Sequence, residues 1–309
     1  MNVYDHIRSD NHPSTSFLYL LITVFVSAII FSLIGLAIGA AIYGTTVLQL
    51  AANGFENLQD KELNFLSIAQ IFSAIGTFVV PALLLNRLER NHQPYFNLNF
   101  NSNWKLYLIV ILLMMVYTPF FEWTIILNEQ LKLPDFMSGI TEWMRAKEDE
   151  TATLTNALLS RTSIGAFFTN LFMVGFLAAI GEELLFRGCV QQILIKWFNK
   201  PHLAIWLTAI IFSAIHLQFY GFLPRMLIGA LCGYLYFFGK SIWLAILAHF
   251  VNNAAAIILA FYLTTNGKPL DYFEYNAQGW PLALLSFVFG TALLYFYRKL
   301  TFSTNNSLS

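Results

Sequence analysis

A chain of 309 residues that is 57% hydrophobic and only 11% charged reads as an integral membrane protein, because soluble domains carry about 25% charged residues. Its formal net charge of zero gives no basic patch to suggest nucleic acid, and no nucleic-acid partner is expected. The cysteines, Cys189 and Cys232, show neither a disulfide framework nor zinc-finger spacing; both lie in apolar or near-apolar segments and read as small core residues.

A spanning helix needs about 20 apolar residues. The first such stretch, residues 16–43, is far longer than the roughly 7–15-residue core of a signal peptide. It reads as a spanning helix that stays, and neither end carries a lipidation motif. Further apolar segments follow at 64–85, 106–127, 164–186, 202–217, 222–238, 242–263 and 281–297. The expected fold is therefore all-α and polytopic, with about eight transmembrane helices. The fifth and sixth segments are short and weakly separated, so the range is seven to nine.

Lysines and arginines in the connections set orientation. With the N-terminus in the cytoplasm, ten fall inside, from Arg8 to Lys299, and seven outside, among them Arg145, Arg161 and Arg225. This predicts both termini inside and, in a bacterium, residence in the plasma membrane. The longest connection, 128–163, holds Glu148-Asp149-Glu150 and an apolar periodicity at Phe136, Ile140 and Trp143; a surface-lying helix is expected there. Residues 1–14 and 303–309 are short polar tails, expected to fray. With no repeat and no soluble domain, one membrane domain is expected to cover 1–309.

Inside this apolar chain stands Gly181-Glu182-Glu183-Leu184-Leu185-Phe186-Arg187. Ionisable groups within a membrane are costly and point to function. On a helix Glu183 and Arg187 share a face, with the acid N-terminal, the favourable order for an ion pair. Glu182 lies about 100° around the helix and cannot share that arginine. The spacing predicts one structural acid, Glu183, and one unpaired acid, Glu182. Low dielectric favours the protonated form of an unpaired carboxylate, a property suited to a general base near neutral pH.

Two further segments carry polar groups. Phe212-Ser213-Ala214-Ile215-His216 follows the turn Asn199-Lys200-Pro201, and both Glu182 and His216 are 17 residues from Asn199. If both arms are helical, the two side chains lie at one depth, roughly 25 Å from the turn. In His249-Phe250-Val251-Asn252-Asn253, His249 and Asn253 share a helix face, about 13 to 20 Å from Lys240. Taken singly, such groups are helix-packing hydrogen bonders; jointly they predict one functional cavity. Phe212 and Phe250 read as packing beside the imidazoles. Glu122, near the outer end of the third segment, reads as snorkelling to the interface. No role is assigned to His6, His12, His92 or His202.

The ordered triplet resembles the CAAX protease and bacteriocin-processing (CPBP, or Abi) family, whose pattern is Glu-Glu-x-x-x-Arg, then Phe-x-x-x-His, then His-x-x-x-Asn or Asp. Glu182 to Arg187, Phe212 to His216 and His249 to Asn253 match it without departure, over about residues 168–258, the motif-bearing core. The resemblance implies an intramembrane endopeptidase; in the eukaryotic branch such enzymes remove the last three residues of a prenylated C-terminal tail. It further implies that Glu182 and His216 activate water while His249 and Asn253 form the oxyanion hole, with Glu183 and Arg187 completing the site. A zinc ion held by Glu182, His216 and His249 is the metal alternative, and the resemblance favours a cofactor-free site. The implied partners are a membrane-associated peptide or lipidated protein, and membrane lipid. Two other readings compete: a non-catalytic membrane scaffold or bacteriocin self-immunity protein, and a proton relay or transporter. No inverted repeat supports the last.

Overall fold

The computed structural model describes residues 11–45, 49–50, 58–88, 96, 98–270 and 279–306. Arg8, Arg90, His6, His92 and the extremities 1–10 and 307–309 of the polar tails lie outside these residues. The described chain is all-α, and seven of its helices are long and apolar enough to cross a membrane. It is an integral membrane protein.

Helix α1 (Pro13–Tyr43) begins where His12 accepts the Ser14 N–H at 3.3 Å, a cap that satisfies one orphan donor of the first turn. It thus takes in two residues expected in the polar tail. α1 packs against α2 (Asp60–Ala74), which continues through a π-helical turn, Ile75–Val79, into α3 (Val80–Leu88). Gly76 is the point of closest approach: the Ser27 hydroxyl donates to its carbonyl at 2.6 Å, and a side chain there would run into Phe31.

Helix α4 (Trp104–Glu129) contains Pro119. Proline removes one ladder donor and pushes the preceding turn aside. The gap is filled from α12 (Trp280–Asn306), where Ser286 accepts the Phe120 N–H at 3.2 Å and donates to the Val116 carbonyl at 2.5 Å. The long connection is helical: a 3-10 turn, Asp135–Met137, leads into α5 (Ser138–Leu159), whose one buried residue is Leu158.

The centre of the molecule is a single 35-residue rod, Ile164–Phe198. It comprises α6 (Ile164–Asn170), a π segment Leu171–Leu177, α7 (Ala178–Glu183), a second π segment Leu184–Val190, and α8 (Gln191–Phe198). The rod runs well beyond the expected end at 186, at roughly 1.5 Å per residue. After the turn at Asn199, left-handed at φ 51°, comes α9 (Pro201–Ala214), then α10 (Phe222–Gly239) and α11 (Ile242–Thr265). α9 differs from expectation. Its 14 residues reach about 21 Å, short of the roughly 30 Å hydrocarbon core, so it is too short to cross alone. α2 and α3 pack on the rod, as do α9, α10 and α11; α4 closes against α10 and α11, and α12 packs on α4.

Serine insertion at the proline break makes a direct prediction. Ser286→Ala leaves the Phe120 N–H and the Val116 carbonyl without this partner, at a cost of about 1–3 kcal/mol. The thermal unfolding midpoint in detergent should fall; an unchanged midpoint would show that the break is held by other contacts.

Candidate active site

The two glutamates lie on α7, between the two π segments. Such segments widen the helix and release carbonyls from the regular ladder, and here side chains take them. Asn253 Nδ2 donates to the Val174 carbonyl at 2.9 Å, and Gln192 Nε2 donates to that of Arg187 at 3.1 Å. The first of these bonds ties α11 to the rod at the π segment that precedes α7.

Glu183 and Arg187 form the expected pair, with Nη1 2.8 Å from Oε1 and both side chains buried. Arg187 Nη2 also donates to the Gly229 carbonyl of α10 at 2.8 Å. A Cβ at Gly229 would meet both that guanidinium and the Phe212 ring at 3.2 Å, so the helices pack tightly here. Phe212 lies beneath the guanidinium, with Arg187 Cζ 4.7 Å from its centroid, and its edge contacts include Phe186, His216 and His249. It is more than packing beside imidazoles: one ring touches the arginine and both histidines of the three motifs. A cation over a desolvated ring adds about 2 kcal/mol of attraction.

The structure amends the division of the glutamates. His249 Nδ1 donates to Glu183 Oε1 at 2.8 Å, so this one oxygen receives both Arg187 and His249. Glu183 is therefore the link between the rod and α11, not a partner of arginine alone. With Nδ1 held, His249 turns Nε2 toward Glu182, 3.8 Å from Oε2. Glu182 thus faces a histidine at ion-pair range but outside hydrogen-bonding distance, and among the described residues its buried Oε2 has no hydrogen-bond partner.

His216 is not on a helix. α9 ends at Ala214, and His216 stands in the turn that leads to α10, with Leu217 left-handed at φ 53°. The equal-arm argument therefore loses its basis, since one arm is partly π-helical and the other stops short. Its destination survives: Glu182 and His216 line one cavity of about 1430 Å³, together with Glu183, Arg187, His249 and Asn253. His216 Nδ1 donates to the Phe212 carbonyl at 2.7 Å. A carbonyl only accepts, so the neutral ring carries its proton on Nδ1 and offers Nε2 as a proton acceptor.

Further polar residues line this cavity, among them Asn252, Arg225 and Glu122. Asn252 lines it and donates to Asn253 Oδ1 at 3.2 Å; its spacing three residues after His249 was a legible signal. Arg225 lines it from the first turn of α10, and Glu122 lines it from α4, so Glu122 faces the cavity as well as lying near a helix end. His202 bonds Tyr234 at 3.1 Å, away from this set. Among the described residues, no three His, Cys, Asp or Glu side chains are grouped to hold one metal ion.

Residues 164–255 match the family model described as Rce1-like, type II CAAX prenyl endopeptidase Rce1-like. The match takes in all three motifs and bears out the family resemblance they carry, that of a CAAX-type membrane protease of the CAAX protease and bacteriocin-processing family. Comparison with curated proteins gives no match, and neither does comparison with solved structures.

The two glutamates should separate in stability. Arg187→Met leaves Glu183 buried without its guanidinium and should cost about 3–5 kcal/mol. Glu182→Gln removes no protein hydrogen bond and should cost well under that. Thermal unfolding of both variants in detergent provides the check; equal losses would contradict the division of roles.

Proposed function

We propose that the chain is a glutamate-type intramembrane endopeptidase that needs no metal. Glu182 and His216 hold the attacking water, and Glu182 takes its proton. His249 and Asn253 donate to the oxyanion that forms on the attacked carbonyl. As the tetrahedral intermediate collapses, the C–N bond breaks and the proton passes from Glu182 to the leaving nitrogen. Glu183 and Arg187 hold His249 in position. The two termini lie on the cytoplasmic side of what is, in a bacterium, the plasma membrane.

One observation carries this reading: Glu182, His216, His249 and Asn253, from three separate segments, line a single cavity. Bond donors agree with the roles. His216 offers a bare Nε2 to water, because Nδ1 is held by Phe212. His249 has Nδ1 held by Glu183, so its imidazolium form presents Nε2–H toward Glu182 and the cavity. Asn253 uses one amide hydrogen on Val174 and retains a second. Glu183 is already engaged by Arg187 and His249 through one oxygen, which leaves Glu182 as the carboxylate for the water; the choice of the metal-free form over a zinc held by Glu182, His216 and His249 rests on the family resemblance. The cavity, about 1430 Å³, exceeds the roughly 300–1,000 Å³ of a small-molecule pocket and suits a membrane-associated peptide or a lipidated protein tail, with membrane lipid around it.

The test compares peptides cut in membranes carrying wild-type protein or Glu182→Gln, read by mass spectrometry. Loss of a general base should lower the rate by about 10²–10⁴-fold, and Asn253→Ala, removing one oxyanion donor, by about 10²–10³-fold. Chelation by EDTA should leave cleavage intact; loss with rescue by zinc would move the chain to the metalloproteases. Cleavage by Glu182→Gln at the wild-type rate would remove the peptidase assignment and favour the scaffold or immunity reading.

A further inference from the structure

Arg225 is the cation that the proposed chemistry leaves unused. It sits half-buried in the first turn of α10, and its side chain lines the same cavity as Glu182 and His216. Its hydrogen-bond partners are neutral: Nη2 donates to the Gln218 side-chain oxygen at 2.6 Å, and Nη1 to the Gln218 carbonyl at 3.4 Å. Among the described residues, no carboxylate forms an ion pair with it.

The other cations near the site are engaged differently. Arg187 is enclosed by Glu183, Gly229 and Phe212. Arg145, on α5, is exposed and lies over the Tyr220 ring. Glu148 and Glu182 are both near enough to Arg225 to be felt by it, but neither is within ion-pair distance, and the Glu148 carboxylate accepts from the Tyr220 N–H at 3.3 Å. Nor does the start of α10 compete for an anion. The Leu223 N–H goes to Asn128 Oδ1, Pro224 has none, and the Arg225 N–H goes to the Gly221 carbonyl.

A half-buried guanidinium that no carboxylate touches is an incomplete arrangement, because burial is costly until an opposite charge makes direct contact. Its planar fork matches a carboxylate in two-point geometry. Gln218 fixes its direction, and Gln218 belongs to the same turn as His216. The cation is therefore held in register with the proposed water-activating histidine.

We propose that Arg225 is a specificity residue that receives a carboxylate of the substrate peptide and sets which bond lies at Glu182. The carboxylate is either the peptide's C-terminal group or an acidic side chain at the same reach. This proposal rests on the peptidase reading for its effect on cleavage, whereas the anion site itself is measurable by binding.

Three peptides share one scissile sequence: one with a free C-terminus and no acidic side chain, one amidated, and one amidated with a single Glu near its end. Wild type should cleave at least one carboxylate-bearing peptide with a kcat/KM about 10- to 100-fold above the plain amide, the scale of a charge-assisted pair. Which one it prefers identifies the source. Arg225→Gln should bring that ratio close to one, and Arg225→Lys should keep part of it. Gln218→Glu, an isosteric change that gives Arg225 an internal counter-ion, should also collapse the ratio, which covers the case in which Arg225→Gln does not fold.

The same peptides are then bound to detergent-solubilised Glu182→Gln protein, with and without Arg225→Gln. Carboxylate preference in binding that disappears with Arg225→Gln supports the site even where wild type cuts nothing, an outcome that would sink the peptidase reading alone. Wild-type cleavage with equal rates on acid and amide, or a preference that survives both Arg225→Gln and Gln218→Glu, overturns the proposal.

Discussion

One carboxylate oxygen organises the centre of this protein. Glu183 Oε1 accepts from Arg187 on its own rod and from His249 on α11, each at 2.8 Å. A lone buried carboxylate is strongly disfavoured in a low dielectric, so the glutamate is tolerable only with those partners in place. The requirement spreads outward. Arg187 needs the Gly229 carbonyl on α10 and the Phe212 face on α9. Four helical segments are thereby drawn to one point by a single buried charge, and the motifs meet because each contributes to neutralising it.

The same point explains why the rod is irregular. A uniform α-helix commits each interior carbonyl to its own ladder, so a neighbour can only share it. The π segments on either side of the glutamates present the Val174 and Arg187 carbonyls to the amides of Asn253 and Gln192. Asn253 is thus fixed by backbone of the very element that carries Glu182. α9 follows a related logic: by stopping at Ala214 it lets the chain turn inside the fold, so that His216 hangs from a bend and is steered by the Phe212 carbonyl.

Much of this was legible in the sequence, because local spacing expresses it. The Glu183–Arg187 pair follows from a four-residue separation on a helix, a relation that survives the π distortion. Convergence of the three motif segments followed from the cost of placing polar groups in an apolar chain. Other features are not local. His249 reaching Glu183 depends on how α11 crosses the rod, which no periodicity encodes. Segments Leu171–Leu177 and Leu184–Val190 have the composition of ordinary apolar helix. The equal separation of Glu182 and His216 from Asn199 suggested a depth match built on two regular arms, but one arm is partly π-helical and the other stops at Ala214. Arg225 looked like one positive charge in a topology count, because a charge in a loop-proximal turn has no visible counter-ion in sequence.

The cavity wall also divides along the chain. Glu182, His216, His249 and Asn253 fall within residues 164–255, the segment shared with the CAAX endopeptidase family. The facing wall comes from outside it, with Gln70, Ser73 and Thr77 from α2 and its π turn, and Met114, Thr118 and Glu122 from α4. α4 in turn keeps its course through the Ser286 insertion from α12, so even the last helix bears on the shape of this wall. Chemistry needs a fixed set of atoms, whereas selection among peptides needs a surface that can vary without disturbing them. A layout in which the proposed reacting groups and the opposite wall lie in different stretches of chain meets both needs. Arg225, anchored to the turn of His216 yet facing the shared cavity, stands where the two meet.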